Sequence, residues 1–297
     1  MGPVLLTGAS GQVGGELEPM LKSIGGVIAP RREELDLSDL DAVRHAIRSL
    51  KPRWIINPAA YTSVDKAEQE PNAAYRLNAE LPGVLGEEAA ALGAVVLHFS
   101  TDYVFAGEGN TPYVESDETG PMGVYGASKL AGEHALAATG AAHFIFRTSW
   151  VYNATGKNFL RTILRFARER EELKIVADQH GAPTWARDLA RLAIHTVESC
   201  ESAGNAEEKA AEFSGVYHSC NAGETTWYGF AQEFLSLAAA KEPTQHWATL
   251  IPIRTTEYLT PARRPANSRL NCSKLEKKLN FRMPLWQDSL RRVMAEL

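Results

Sequence analysis

Tyr125 is followed four residues on by Lys129, a spacing that no other of the nine tyrosines has. On a helix that separation stacks both side chains on one face. A phenol ordinarily titrates near pH ~10. A neighbouring ammonium stabilises the phenolate and draws that value toward neutrality, which suits the pair to moving a proton to or from an oxygen. The same ammonium suits the hydroxyls of a cofactor ribose. A third group must hydrogen-bond the oxygen on which charge develops. Thr101 is the candidate and Ser100 the next, in the run Phe99-Ser100-Thr101-Asp102-Tyr103 that closes an apolar stretch. The chemistry this trio suits is proton transfer at a carbonyl or alcohol oxygen, which requires a hydride carrier beside it.

A place for that carrier lies at the start of the chain. In Leu5-Leu6-Thr7-Gly8-Ala9-Ser10-Gly11-Gln12-Val13-Gly14 the glycines recur every third residue. A turn of this kind between a strand and a helix lets the backbone approach a pyrophosphate, to which the helix start offers free N–H groups. Gly8, Ser10, Gly11, Gln12, Val13 and Gly14 are therefore candidate cofactor residues. After the second apolar run, Ala29-Pro30-Arg31-Arg32 puts two guanidiniums where an acidic residue would hold an unphosphorylated ribose. Arg31 and Arg32 suit a 2′-phosphate, so the expected carrier is NADPH, with NADH possible. Asp36 and Leu37 are placed to meet the adenine. Asn57-Pro58-Ala59-Ala60 forms a floor of small residues.

Other chemistries find no support. The eight histidines show neither HExxH nor a paired-ligand spacing, so no metal site is expected, and no GxSxG elbow is present. Cys200, Cys220 and Cys272 are scattered without CxxC spacing, as expected of buried thiols in a reducing compartment. The net charge of −5 gives no broad basic field for nucleic acid. No apolar run approaches the ~20 residues of a membrane helix, and Val4-Leu5-Leu6 is too short for a signal core. A cytoplasmic protein without membrane attachment is expected.

The elements that must position these residues alternate. Apolar runs at Val4–Leu6, Val27–Ala29, Trp54–Asn57, Ala94–Ser100 and His143–Arg147 read as buried parallel strands. Helical segments lie between them, at Leu17–Leu21, Leu40–Leu50, Ala73–Leu92 and Tyr125–Leu136. The fold class is α/β: a Rossmann-type doubly wound parallel sheet with a smaller mixed α/β substrate domain. Residues 1–153 plus about 186–220 are assigned to the dinucleotide unit, and about 154–185 plus 221–297 to the substrate unit. In the second half, Asn158–Arg170 is an amphipathic helix, Leu173–Val176 a short strand, and Trp185–Ser199, Trp227–Ala240 and Leu285–Glu296 further helices. Glu201–Glu212 reads as a polar surface connection or frayed helix end. On the substrate side stand Gln179 in a turn-rich segment and Arg263 and Arg264 in a proline-stiffened basic loop, suited to a diphosphate-linked ligand. Tyr103 and Trp150 offer rings to a base or sugar.

Over essentially its whole length the chain resembles the dTDP-4-dehydrorhamnose reductases, extended members of the short-chain dehydrogenase/reductase superfamily. The matching stretches are Thr7-Gly8 to Gly14, Val64-Asp65-Lys66-Ala67-Glu68, Ser100 to Phe105, Val124-Tyr125-Gly126 and Lys129 to Glu133. Further on come Phe146 to Tyr152, Asp178-Gln179, Gly181-Ala182-Pro183-Thr184, Pro261 to Pro265 and Asn267 to Leu270. The resemblance implies reduction of dTDP-4-dehydro-β-L-rhamnose to dTDP-L-rhamnose with Thr101, Tyr125 and Lys129 catalytic. It places Asp102 and Trp150 against the dTDP-sugar, and Gly11, Gln12, Val13, Asp36, Leu37, Ala60, Tyr61 and Thr62 against the cofactor. Some members carry an acidic residue where Arg31 stands. Some dimerise through glutamates around Mg²⁺; Glu16 and Glu296 match two of these positions, and Arg187 occupies the third. A monomer or homodimer is the expectation. Two rival readings remain open here: a related nucleotide-sugar epimerase or dehydratase, and a non-catalytic regulatory subunit similar to the methionine adenosyltransferase β subunit.

Overall fold

The computed structural model describes residues 2–202 and 204–297. Its first half runs β1 (Val4–Leu6), α1 (Gln12–Leu21), β2 (Val27–Ile28), α2 (Leu40–Leu50), β3 (Trp54–Asn57), α3 (Val64–Ala67), α4 (Pro71–Tyr75), α5 (Leu81–Leu92), β4 (Val95–Thr101), α6 (Val124–Ala138) and β5 (His143–Thr148). The second half runs β6 (Val151–Tyr152), α7 (Phe159–Glu169), β7 (Glu172–Val176), β8 (His180–Gly181), β9 (Thr184–Trp185), α8 (Ala186–Glu201), α9 (Ala206–Phe213), β10 (Gly215–His218), β11 (Thr225–Thr226), α10 (Trp227–Lys241), β12 (Thr249–Ile253), α11 (Ser273–Leu279) and α12 (Trp286–Glu296).

The main sheet has six parallel strands in the order β2-β1-β3-β4-β5-β10. Alternate residues supply its two faces, as the strand period dictates. Val4, Leu6, Trp54, Val95, Leu97, Phe144 and Phe146 pack with Leu17 and Leu21 of α1 and Leu189 and Leu192 of α8. Leu5, Ile55, Val96 and Ile145 pack on the other face with Val43 and Ile47 of α2, Leu81 and Leu85 of α5, and Leu136 of α6. The strand order reverses between β1 and β3, the switch point at which such sheets open a crevice at their carboxyl ends. A third core joins Tyr152, Leu160, Leu164, Phe230, Phe234, Trp286 and Leu290. Leu275 and Met283, near the end of the chain, reach back into the first core.

Local signals set the element ends. Asp39 caps α2 by accepting the Ala42 N–H at 3.0 Å, and Asn158 caps α7 by accepting that of Arg161 at 3.1 Å. The helix expected over Ala73–Leu92 runs on from α4, but it changes to a π-helical turn over Arg76–Glu80. Pro82 explains the change, because without an N–H it cannot donate to Asn78 four residues back. The bulge points the Asn78 side chain into the interior, where it holds the Tyr61 N–H at 2.8 Å and the Tyr61 carbonyl at 3.1 Å.

Three features differ from the sequence reading. The polar stretch Glu201–Glu212 contains most of a capped helix, α9; residue 203 lies outside the described residues. Strands β10 and β12 occupy segments without a strand assignment, and β12 pairs in parallel with β7. The scattered Cys220 and Cys272 are neighbours, free thiols with sulfurs 3.6 Å apart.

Candidate active site

A cleft of about 1080 Å³ lies over the switch point and is walled by residues of both halves. Its floor is the glycine turn. Gly8 sits at φ +58°, and a Cβ there would lie 2.8 Å from the Ala59 backbone. A Cβ on Gly14 would come within 2.1 Å of the Gly8 carbonyl oxygen. Only glycine allows this compression, which brings α1 against the turn. Gly11 opens α1 with no side-chain cap, so the first N–H groups of the helix are left for a ligand. Ser10, Gln12, Val13, Ala59, Ala60 and Thr62 line the same cavity. An extended dinucleotide fits this donor set and the space above it.

The adenosine end is set by charges. Arg31, Arg32, Asp36 and Leu37 all line the cleft. Arg31 donates to Glu18 at 2.8 Å, whereas Arg32 forms no ion pair among the described residues. Asp36 accepts the N–H and hydroxyl of Ser38 at 2.9 and 2.8 Å, and these bonds hold its carboxyl below the usual range.

Tyr125 and Lys129 lie in the first two turns of α6, and Thr101 ends β4; all three reach the cleft. The Thr101 hydroxyl bonds to Asp102 Oδ1 at 3.1 Å and accepts the Tyr103 N–H at 3.2 Å. The Tyr103 ring stands edge-on to Tyr125 with centroids 5.4 Å apart. Burial pushes the Tyr125 phenol up to about 12, opposed by the neighbouring Thr101 hydroxyl. Tyr125 is therefore protonated at neutral pH.

Lys129 is not the direct cause of a depressed phenol in this arrangement. Its Nζ donates to the Phe99 carbonyl at 2.6 Å and meets His98 Nε2 at 3.1 Å. Burial pulls Lys129 down to about 8, opposed by the negative charge of Glu133 one turn along α6. A cationic Lys129 has only donors, so His98 Nε2 must accept and its proton sits on Nδ1. The Asn57 side-chain amide lies 3.0 Å from that Nδ1 and meets the Thr7 hydroxyl at its other end. Burial and the Lys129 charge hold His98 neutral. Glu133 is itself locked, accepting from Arg147 Nη2 at 2.6 Å and from Ser100 Oγ at 2.5 Å. The Ser100 hydroxyl is thus committed to positioning α6 on the sheet.

At the other end of the cleft, three buried polar atoms lack a partner among the described residues: Asp102 Oδ2, Thr148 Oγ1 and Arg264 Nε. Buried polar atoms are ordinarily satisfied, so this trio fits a polar ligand. Burial raises the Asp102 carboxyl to about 6. Arg264 is fixed by Asp65 at 2.8 Å, and Trp150 stacks on Trp227 with centroids 3.8 Å apart.

A family model described as the RmlD substrate binding domain matches residues 1–297. The dTDP-4-dehydrorhamnose reductase of Burkholderia thailandensis is 45% identical over 287 residues, covering 96% of this chain and 95% of the relative. The chain belongs to the dTDP-4-dehydrorhamnose reductase family. Among solved structures, the family member from Clostridium acetobutylicum superposes with a TM-score of 0.90 at 34% identity, covering 99% of both chains. That from Bacillus anthracis, solved in complex with NADP, gives 0.87 at 33% identity and covers 100% of this chain and 99% of its own.

Within this family framework some candidate residues lie apart from the cleft lining. The Tyr61 hydroxyl donates to Glu70 at 2.7 Å, Gln179 donates to Thr255 at 3.1 Å, and Arg263 is exposed. Glu16 and Glu296 converge, but on Arg187, which donates to Glu16 at 2.6 Å and to Glu296 at 3.0 Å. Residues 155–159, which carry no sequence signal for the site, roof the glycine turn, and Trp227 packs on Phe159 of that segment with ring centroids 4.6 Å apart. Asn158 is the key to that roof, donating to Gln12 at 2.9 Å. Its position before an amphipathic helix marked a cap, yet nothing in the sequence tied it to Gln12.

Proposed function

We propose that this chain is an oxidoreductase that reduces the C4 keto group of dTDP-4-dehydro-β-L-rhamnose to give dTDP-L-rhamnose, with NADPH as reductant. The observation that carries the reading is the convergence of Thr101, Tyr125 and Lys129 in the cleft floored by the glycine turn. When bound, the reduced dinucleotide supplies the hydride. The free N–H groups at the start of α1 hold its pyrophosphate, and Arg32, with Arg31, takes the 2′-phosphate. Tyr125, kept protonated by burial, donates its proton to the carbonyl oxygen. The Thr101 hydroxyl, at the end of β4 in the same cleft, helps to hold the developing alkoxide. Lys129 brings a positive charge to the cleft that would meet the cofactor ribose, and His98 and the Phe99 carbonyl fix its position. Asp102, Thr148 and Arg264 orient the sugar and its diphosphate through their open hydrogen-bonding atoms.

In this reading residues 1–153 and about 186–220 form the cofactor unit, and about 154–185 and 221–297 the substrate unit; each has a core of its own, with Leu275 and Met283 crossing into the first and Tyr152 into the other. No helix among the described residues is long and apolar enough to cross a membrane. A cytoplasmic enzyme acting on a small nucleotide-sugar, as monomer or homodimer and without nucleic acid, completes the proposal. The test follows the reduced-nicotinamide absorbance with dTDP-4-keto-sugar and purified protein. Stoichiometric loss of the band with formation of dTDP-L-rhamnose is expected. Tightly retained NAD with no net oxidation of added NADPH would instead identify an epimerase or dehydratase.

A further inference from the structure

A second cavity of about 710 Å³ lies behind the roof of the first and shares Gly156 and Lys157 with it. Its charged lining is lopsided. Lys157, Arg161, Arg165, Arg168 and Lys241 face it, with Glu242 as the acidic side chain among them. Arg161, Arg165 and Arg168 recur on one side of α7, flanking the buried Leu160, Ile163, Leu164 and Ala167. Glu242 is bonded to Arg168 at 2.7 Å. Lys157, Arg161, Arg165 and Lys241 form no ion pair among the described residues. These side chains are exposed, with Arg161 donating to the Ala154 carbonyl at 2.9 Å, so solvent screens their repulsion; the cluster is nonetheless a local cation surplus on a chain whose net charge is −5.

We infer that this groove is a second anion site, one that takes a small oligophosphate. The cations line a pocket rather than an extended surface, so the groove matches a compact anion and not a nucleic-acid backbone. Guanidiniums at one-turn intervals suit successive phosphates, each met by a fixed fork of donors. Phe166, half-buried in the same lining, carries the guanidiniums of Arg165 and Arg170 at 4.8 and 4.3 Å from its ring centre, which holds Arg165 at the groove. Because Lys157 lines both cavities, and the adjacent Asn158 bonds to Gln12, an anion in the groove competes with the dinucleotide for Lys157 and acts on the glycine turn.

The probe is inorganic tripolyphosphate, titrated calorimetrically at low salt into protein saturated with NADPH, so that the first cleft is filled. One saturable site is expected, weakened by added salt. Arg165→Glu should weaken it at least tenfold, and Lys241→Gln by about threefold, with Tm and NADPH-dependent turnover unchanged. By reciprocity, tripolyphosphate should raise the NADPH Kd of the wild type and not of Arg165→Glu. A nucleoside triphosphate in parallel separates two sources: tighter binding than tripolyphosphate assigns a nucleotide, and equal binding an inorganic anion. Absence of a saturable site in the NADPH-loaded protein, or binding indifferent to Arg165→Glu, overturns the inference. Preferential binding of a long single-stranded oligonucleotide overturns it as well. None of these readouts depends on the sugar substrate, so their failure leaves the reductase reading untouched.

Discussion

Glu133→Gln probes the link between fold and chemistry most directly. Glu133 and Arg147 are both buried and joined by bonds of 2.6 to 3.2 Å, and Ser100 adds a third partner. The amide keeps the shape but leaves the Arg147 guanidinium buried without its charge. Breaking a buried pair in this way costs about 3–5 kcal/mol. With an unfolding entropy of about 2.1 cal/mol/K per residue, 297 residues give about 0.6 kcal/mol/K, so the loss corresponds to about 5–8 °C in Tm. The same change removes the negative charge that favours a protonated Lys129. In the wild type, kcat/KM should fall above about pH 8 as the buried Lys129 loses its proton. It should also fall below about pH 6 as Asp102, raised by burial, becomes neutral. In Glu133→Gln the alkaline limb should move to lower pH and the acid limb stay in place. Differential scanning calorimetry and a pH series of kcat/KM supply both readings. Replacing the pair together, by Glu133→Leu with Arg147→Met, should recover most of the lost stability. A Glu133→Gln protein that melts within 1 °C of wild type, with its alkaline limb unmoved, would refute the reasoning.

Other expectations concern single groups. Tyr125→Phe should lower kcat by about 10²–10⁴-fold, the usual worth of a placed proton donor, while the NADPH Kd from fluorescence titration changes less than about twofold; wild-type turnover would remove Tyr125 from the mechanism. Gly14→Ala should abolish measurable NADPH binding or lower Tm sharply, because its Cβ would meet the Gly8 carbonyl at 2.1 Å; a variant that binds normally would show that the turn need not be this tight. Arg32→Ser should raise the KM for NADPH about tenfold and leave that for NADH unchanged, as expected when a charge-assisted phosphate contact is lost. Arg31→Ser should do less, because Glu18 already engages that guanidinium. Equal effects of the two substitutions would contradict the division of labour.

What could be read from the sequence follows a physical rule. Strands buried on both faces, such as Val95 to Phe99, announce themselves as apolar runs, and the glycine turn and the Tyr125–Lys129 pair lie in continuous local segments. The short β10 was missed because Gly215-Val216-Tyr217-His218 carries little apolar signal; pairing with β5 makes it a strand. The same limit governs the site. The ammonium of Lys129 was visible, but the groups that tune it were not: His98, the Phe99 carbonyl and Glu133 meet it only through the packing of α6 on β4.

That limit changes the chemical argument. From spacing alone, Lys129 should pull the phenol of Tyr125 downward. In the folded chain burial dominates both groups, raising Tyr125 to about 12 and lowering Lys129 to about 8. Before a cofactor enters, the phenol is therefore protonated and the ammonium one turn along α6 is near its titration point; a protonated donor is what reduction of a carbonyl requires. The reverse reaction needs the phenolate, which burial disfavours. The charge that would rescue it, Lys129, is shared with His98 and the Phe99 carbonyl. The resting protonation state of the pair, and with it the pH range over which each direction runs, is thus set by desolvation at the end of β4 and the start of α6, a property of tertiary burial that no spacing of residues encodes.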